Sequence, residues 1–278
     1  FVKGTGSECI DEECIAFRGA HCQLGVYQRN KTSGDFGIPL QCLNQKDQLE
    51  FVHIPKTGGS AIEKAAAHHG VSWGACHYQS NSAWKELGCP DHLARWGDSQ
   101  QVGFAAAYEP WHVPMQFLSP NPYLGKQTFV VVRNPYTRAL SMYYCKWHGY
   151  NGDQDIDNEA VMNAWMINKM SHWPLTEEPK DSHITPQHYF VYHEGTQVVE
   201  HVLRYENIRE DFDRFMISFY AQGAGGELAN LYSKIRLPTE KVNEGRPRKL
   251  STQNFNATTK HILQNLYHLD FEYFGYEK

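Results

Sequence analysis

Several short stretches of this chain hold residue types that can do chemistry on an anion. In Phe51-Val52-His53-Ile54-Pro55-Lys56-Thr57-Gly58-Gly59-Ser60, an apolar run gives way to a lysine, two hydroxyls and two glycines, with Ala61 next. A strand that delivers Lys-Thr-Gly-Gly-Ser into a helix N-terminus gathers backbone N–H groups, the Thr57 and Ser60 hydroxyls and the Lys56 ammonium around one point. Gly58 and Gly59 let the backbone curl close to a ligand with no Cβ in the way. The residue order matters. In the triphosphatase loop GxxxxGK[ST] the lysine follows the glycines, whereas here it precedes them, and the kinase or ATPase reading fails at its defining position.

A second stretch, Val131-Val132-Arg133-Asn134-Pro135-Tyr136-Thr137-Arg138-Ala139-Leu140-Ser141, puts an arginine at the end of an apolar run and a serine eight residues on. A guanidinium bonds a phosphate bidentately, and a hydroxyl on the following helix closes the cradle. A third, Gly245-Arg246-Pro247-Arg248-Lys249-Leu250-Ser251, is basic. Arg248 and Lys249 suit a phosphate or a solvated turn equally. Between the first two lies Tyr108-Glu109-Pro110-Trp111-His112-Val113-Pro114, where His112 is the natural general base near neutral pH. Glu109 can orient His112, act as the base itself, or be a solvated loop residue. His53 is expected to be a packed, hydrogen-bonded core residue, and His68-His69 to favour a helix C-terminus. The chain has no HExxH, CxxC or Asp/Asn-rich calcium loop, so no metal is expected.

HIPKTGGS resembles the 5′-phosphosulfate loop of sulfotransferases, in particular the Golgi carbohydrate type that includes the heparan sulfate 2-O-sulfotransferases. The resemblance implies 3′-phosphoadenosine 5′-phosphosulfate (PAPS) as co-substrate, held by Lys56, Thr57, Gly58, Gly59, Ser60 and Ala61. Arg133 and Ser141 match the 3′-phosphate segment, and Arg248 and Lys249 the basic loop that covers the nucleotide. Lys56 would be catalytic at the bridging oxygen, and His112 sits where the resembling enzymes place their base. One departure stands out: the nearest pattern has His-x-His, and this chain has a single histidine with Glu109 and Trp111 nearby. That puts the acceptor in question more than the chemistry. A glycan hydroxyl is the acceptor implied, with a tyrosine or a small molecule as competitors. A nucleotide kinase or an idle nucleotide-binding module on the same fold are the rival classes. Val202 to Asn207 and Asp270 to Tyr276 also resemble these enzymes, in positions expected to concern packing.

These residues need a scaffold. Residues 1–46 lack sustained periodicity and read as a Cys-containing N-terminal extension, with the catalytic domain over 47–278. Leu49 to Ile54 predicts a strand and Ser60 to His68 a helix. Thr128 to Val132 predicts a second strand, followed by a helix from Tyr136 to Trp147 with Pro135 in its first turn. Val198 to Tyr205 predicts a third strand, and Ile208 to Phe219 the helix after it. Repeated β-then-α units argue for an α/β fold with a parallel sheet flanked by helices, and the resemblance implies the P-loop-like sulfotransferase version of it. Residues 70–100 and 149–190 are mixed in character, as expected of insertions that shape a cleft.

With 26 basic and 31 acidic residues among 278, the chain has no whole-molecule attraction to nucleic acid or anionic membrane, so any grip on a polyanion must be local. No window approaches the roughly 18 apolar residues of a membrane helix; a membrane association would need an N-terminal anchor missing from this sequence. Four of the seven cysteines crowd the first 42 residues, a pattern of disulfide stapling. With the acceptor tripeptides Asn30-Lys31-Thr32 and Asn256-Ala257-Thr258 it points to a secretory-pathway lumen, by resemblance the Golgi, against a cytoplasmic alternative with free thiols.

Overall fold

The computed structural model describes residues 49–69, 71, 73–74, 112–115, 123–171, 182–221, 230–239 and 246–278. The extension over 1–46 lies outside them, as does Glu109. Strand β1 (Leu49–Val52) leads into α1 (Gly59–Ala67), and β2 (Gln127–Val132) into α2 (Pro135–Tyr143). Next come α3 (Glu159–Ser171), a single turn α4 (His188–Val191), and a small antiparallel pair β3 (Tyr192–His193) and β4 (Thr196–Gln197). Strand β5 (His201–Arg204), α5 (Ile208–Ala221), α6 (Ala257–Leu266) and α7 (His268–Phe274) complete the order.

The main sheet has the order β1-β2-β5 with every pairing parallel. Leu49 to Val52 lie beside Gln127 to Val130, and Phe129 to Val132 beside His201 to Arg204. Side chains alternate across a strand, and in β2 both sides are apolar. Phe129 and Val131 pack with Phe51, Trp73, Phe212 and Phe215, whereas Val130 and Val132 pack with Val52, Ile54, Phe190 and Phe274. A sheet covered on both faces explains the continuous apolar run that marks β2 in the sequence.

The expected α/β architecture is therefore present, with differences at the element ends. Strand β5 begins at His201 instead of the expected Val198: the Val198 amide bonds back to the Val191 carbonyl at 2.8 Å beside the β3–β4 hairpin, and the chain bends at Val199 and Glu200. Helix α2 stops at Tyr143, short of the Trp147 expected, and Trp147 lies on the surface. Its start is built as the sequence suggests: Pro135 occupies the first turn, and the Asn134 side chain accepts from the amides of Tyr136 and Thr137, closing orphan helix donors. The mixed region 149–190 holds α3, whose Met162, Met166 and Met170 are buried at helical spacing. They pack with Leu140, Tyr143, Tyr144 and Leu263 in a third apolar cluster joining α2, α3, α6 and α7.

Candidate active site

The C-terminal end of β1 turns sharply at residues 55–58. Lys56 (φ 69°) and Gly58 (φ 92°) both adopt the left-handed region, which a non-glycine residue enters at a cost. Two arginines of the next β–α unit hold the turn. Arg133 donates from Nη1 to the Lys56 carbonyl at 3.1 Å, and Arg138 from Nε to the Pro55 carbonyl at 3.0 Å. The Thr57 hydroxyl donates to the Ile54 carbonyl at 2.9 Å, and the Ala61 amide to the Gly58 carbonyl at 3.0 Å. Both contacts brace the loop. Gly59 is required sterically: a Cβ there would sit 2.4 Å from His53 Nε2. A Cβ on Gly58 would approach the Tyr205 ring to 3.0 Å.

Arg133 leaves the end of β2 and is clamped on its main chain. Its amide donates to Gln187 Oε1 at 2.8 Å, and its carbonyl accepts from Gln187 Nε2 at 2.7 Å. Gln187 in turn donates its own amide to the fully buried Asp270 at 2.8 Å. The guanidinium donates to Thr137 Oγ1 at 3.0 Å and stacks 4.1 Å from the centre of the Tyr205 ring, a cation–π arrangement. On α2, Ser141 Oγ meets Arg248 Nη2 at 3.5 Å. The basic segment carrying Arg248 is fastened by Tyr144, whose hydroxyl donates to Asp157 at 2.6 Å and accepts from the Leu250 amide at 3.2 Å. Lys249 turns to another partner, its amide bonding Asp157 at 3.1 Å and its exposed ammonium lying 3.9 Å from the same carboxylate.

The electrostatics of this corner favour an anion. Burial pulls the Arg133 guanidinium below its ordinary value; Tyr205 and Glu206 resist that shift, and Arg248 and Arg138 add to it. A buried guanidinium with two others near it gains most from a bound anion. Lys56 has a second neighbour in the buried thiol of Cys145, just beyond the end of α2. Burial raises that thiol, but Lys56 and the amides of His148 and Trp147 outweigh burial and hold it below the usual cysteine value.

His112 is buried, and its ring lies edge-to-face on two others: His53 at 4.7 Å and His183 at 5.1 Å between centroids. His53 is the packed residue expected, with Nδ1 2.7 Å from the Glu63 carboxylate. Burial raises the Glu63 carboxyl, and His53 partly opposes that. No group of three or more His, Cys, Asp or Glu among the described residues is arranged to hold a metal ion.

Of the residues singled out from sequence, the fold therefore brings Lys56 to Ala61, Arg133, Ser141 and Arg248 into one corner. Arg138, Gln187, Tyr205 and His183 were missed. Arg138 sits inside the quoted second stretch, one turn before Ser141 on α2, but nothing in its spacing marks it as buried. Gln187 and His183 come from the mixed region 149–190. The segments Val202 to Asn207 and Asp270 to Tyr276 pack on each other as expected: Arg204 lies 4.9 Å from the Tyr276 ring, and Tyr276 donates to Glu206 at 2.9 Å.

The site thus stands on a parallel sheet, with a left-handed turn after β1 and a buried arginine after β2. The sulfotransferase family model matches residues 42–277, and the chain belongs to that family. No curated protein and no solved structure matches it individually.

Proposed function

We propose that this protein transfers a sulfuryl group from PAPS to a hydroxyl acceptor, with a glycan as the acceptor class. The observation that carries the donor is the contact between two anion seats. Arg133, beside Ser141 and Arg248, bonds the carbonyl of Lys56 itself. A donor phosphorylated at both ends of its nucleoside suits such a pair, the loop taking the 5′-phosphosulfate and the arginine corner the 3′-phosphate.

Lys56 stabilises charge that develops on the bridging oxygen as the sulfur–oxygen bond breaks. His112 receives the proton of the acceptor hydroxyl, whose oxygen attacks sulfur in line. A sulfuryl group carries less charge than a phosphoryl group, so Lys56 and the loop amides suffice in principle. A lumenal, Golgi setting follows from the N-terminal cysteine crowding and from the glycan reading.

Labelled PAPS with a panel of glycan, tyrosyl and small-alcohol acceptors tests the assignment. Lys56→Ala and His112→Ala should each cut turnover by at least about a hundredfold. Wild-type turnover in His112→Ala would remove it as the base. Nucleotide binding with no transfer to any acceptor would leave a binding module.

A further inference from the structure

The basic segment that carries Arg248 has no ladder or helix of its own to hold it. Residues 247–250 belong to no helix or strand, and Arg248 and Lys249 lie on the surface. An exposed arginine on irregular backbone has much rotamer freedom to lose when an anion binds. Two side chains supply a framework. Tyr144, fully buried at the end of α2, accepts from the Leu250 amide at 3.2 Å, and Asp157 accepts from the Lys249 amide at 3.1 Å. The Tyr144 hydroxyl also donates to the Asp157 carboxylate at 2.6 Å. Two successive amides of the segment are thus held by one hydrogen-bonded pair.

That pair lies beside the anion corner and is itself anchored. Tyr144 follows Ser141 by three residues, which makes them neighbours at the end of α2. Arg248 spans both: its Nη2 is 3.5 Å from Ser141 Oγ, and its guanidinium carbon is 5.7 Å from the centre of the Tyr144 ring. Tyr143 donates to the Ile156 carbonyl at 2.9 Å, and the Asp157 amide donates to the Asp155 carboxylate at 3.0 Å, which fixes the main chain that carries Asp157. Burial and the bond to Asp157 push the Tyr144 phenol up to about 12, and the same bond holds the Asp157 carboxyl below its ordinary range. At neutral pH the donor is therefore a phenol and the acceptor a carboxylate, a charge-assisted pair.

We infer that Tyr144 and Asp157 form a latch that positions Arg248 for the 3′-phosphate, and so set the preference for a nucleotide phosphorylated at both ends. This rests on the reading of the Arg133, Ser141 and Arg248 corner as the 3′-phosphate seat. Both are positioning residues that act through Arg248. A guanidinium held beforehand loses less freedom when the phosphate arrives, so more of its bonding appears as affinity. Lys249 is placed differently: its amide is bound at Asp157 and its ammonium lies 3.9 Å from the same carboxylate. Arg248 is therefore the cation that the latch presents. The loop that takes the 5′-phosphosulfate in this reading is braced separately, by Arg138 and by the Thr57 hydroxyl, so loosening the latch should leave that end of the donor alone.

Titration calorimetry on the full chain, with 3′,5′-adenosine bisphosphate and with adenosine 5′-monophosphate, tests the latch. Tyr144→Phe deletes the hydroxyl and keeps the ring. It should weaken bisphosphate binding about five- to tenfold and leave monophosphate binding within about twofold. Combined with Arg248→Ala, it should add no loss beyond that of Arg248→Ala alone. With PAPS and the best acceptor from the panel, Tyr144→Phe should raise the KM for PAPS by a similar factor and keep kcat within about twofold. Asp157→Ala, in a half-buried loop, should repeat the pattern, and it decides the matter if Tyr144→Phe does not fold. Unchanged bisphosphate binding, equal losses for the two nucleotides, or losses that add to that of Arg248→Ala would overturn the latch. The wild-type protein separates the two readings. If it binds both nucleotides alike, the 3′-phosphate seat fails and the latch with it; if it prefers the bisphosphate and the variants keep that preference, only the latch fails.

Discussion

In the proposed reaction Lys56 carries the chemistry, and its surroundings act on it from several sides. It sits in left-handed backbone, its carbonyl is held by Arg133, and its ammonium lies near the Cys145 thiol. Burial works against a Cys145 thiolate, and Lys56 is the largest influence in its favour. Replacing Lys56 by alanine should therefore slow alkylation of Cys145 by iodoacetamide at a fixed pH near neutrality, as the thiolate fraction falls. Mass spectrometry of the modified peptide measures it, and an unchanged rate would separate the two side chains. That Lys56, Gly58, Gly59, Arg133 and Ser141 share one corner was legible in the sequence, because the proposed anion cradle needs glycine, hydroxyl and cation in a fixed local order. Arg138 and His183 were not, because their roles depend on contacts between segments far apart in the chain.

Among elements, the decisive join is between the end of β2 and the C-terminal helices. Gln187 exchanges two hydrogen bonds with the main chain of Arg133, and Asp270 of α7 fixes Gln187. These groups are buried, so removal leaves donors and acceptors without solvent. Gln187→Ala should cost about 2–4 kcal/mol of stability by urea denaturation, and a loss below about 0.5 kcal/mol would mean the clamp is dispensable. The β–α units themselves were readable: a doubly covered strand reads as a continuous apolar run, and β2 does so from Phe129 to Val132. Helix α3 was not readable, although Met162, Met166 and Met170 share a face. Trp165, Ile167 and the alanines nearby blur its stripe, and only packing against α2 and α6 selects the buried side.

For the whole molecule, pH acts through groups that burial has shifted. His201 of β5 lies against Phe215 at 4.8 Å and Phe219 at 6.4 Å. Burial lowers its pKa from an ordinary 6.5, with Glu200 opposing. The folded state then binds this proton less readily than the unfolded chain, so the stability is present above the unfolded value and lost as pH falls through the folded one. Tm should drop between about pH 7.5 and about pH 5.5, and His201→Gln should narrow that drop. Parallel losses in both proteins would exclude His201 as a contributor. The same scale holds the central claim, since a chain of net charge −5 has no global attraction for a polyanionic nucleotide and needs local cations, for which the proposal takes Lys56 and the arginine corner.

Thermal shift and titration calorimetry with 3′,5′-adenosine bisphosphate, against Mg-ATP, test that claim most directly. The bisphosphate should raise Tm and Mg-ATP should not, and Arg133→Ala should weaken bisphosphate binding by about ten- to a hundredfold. Stabilisation by Mg-ATP with no response to the bisphosphate would contradict the account.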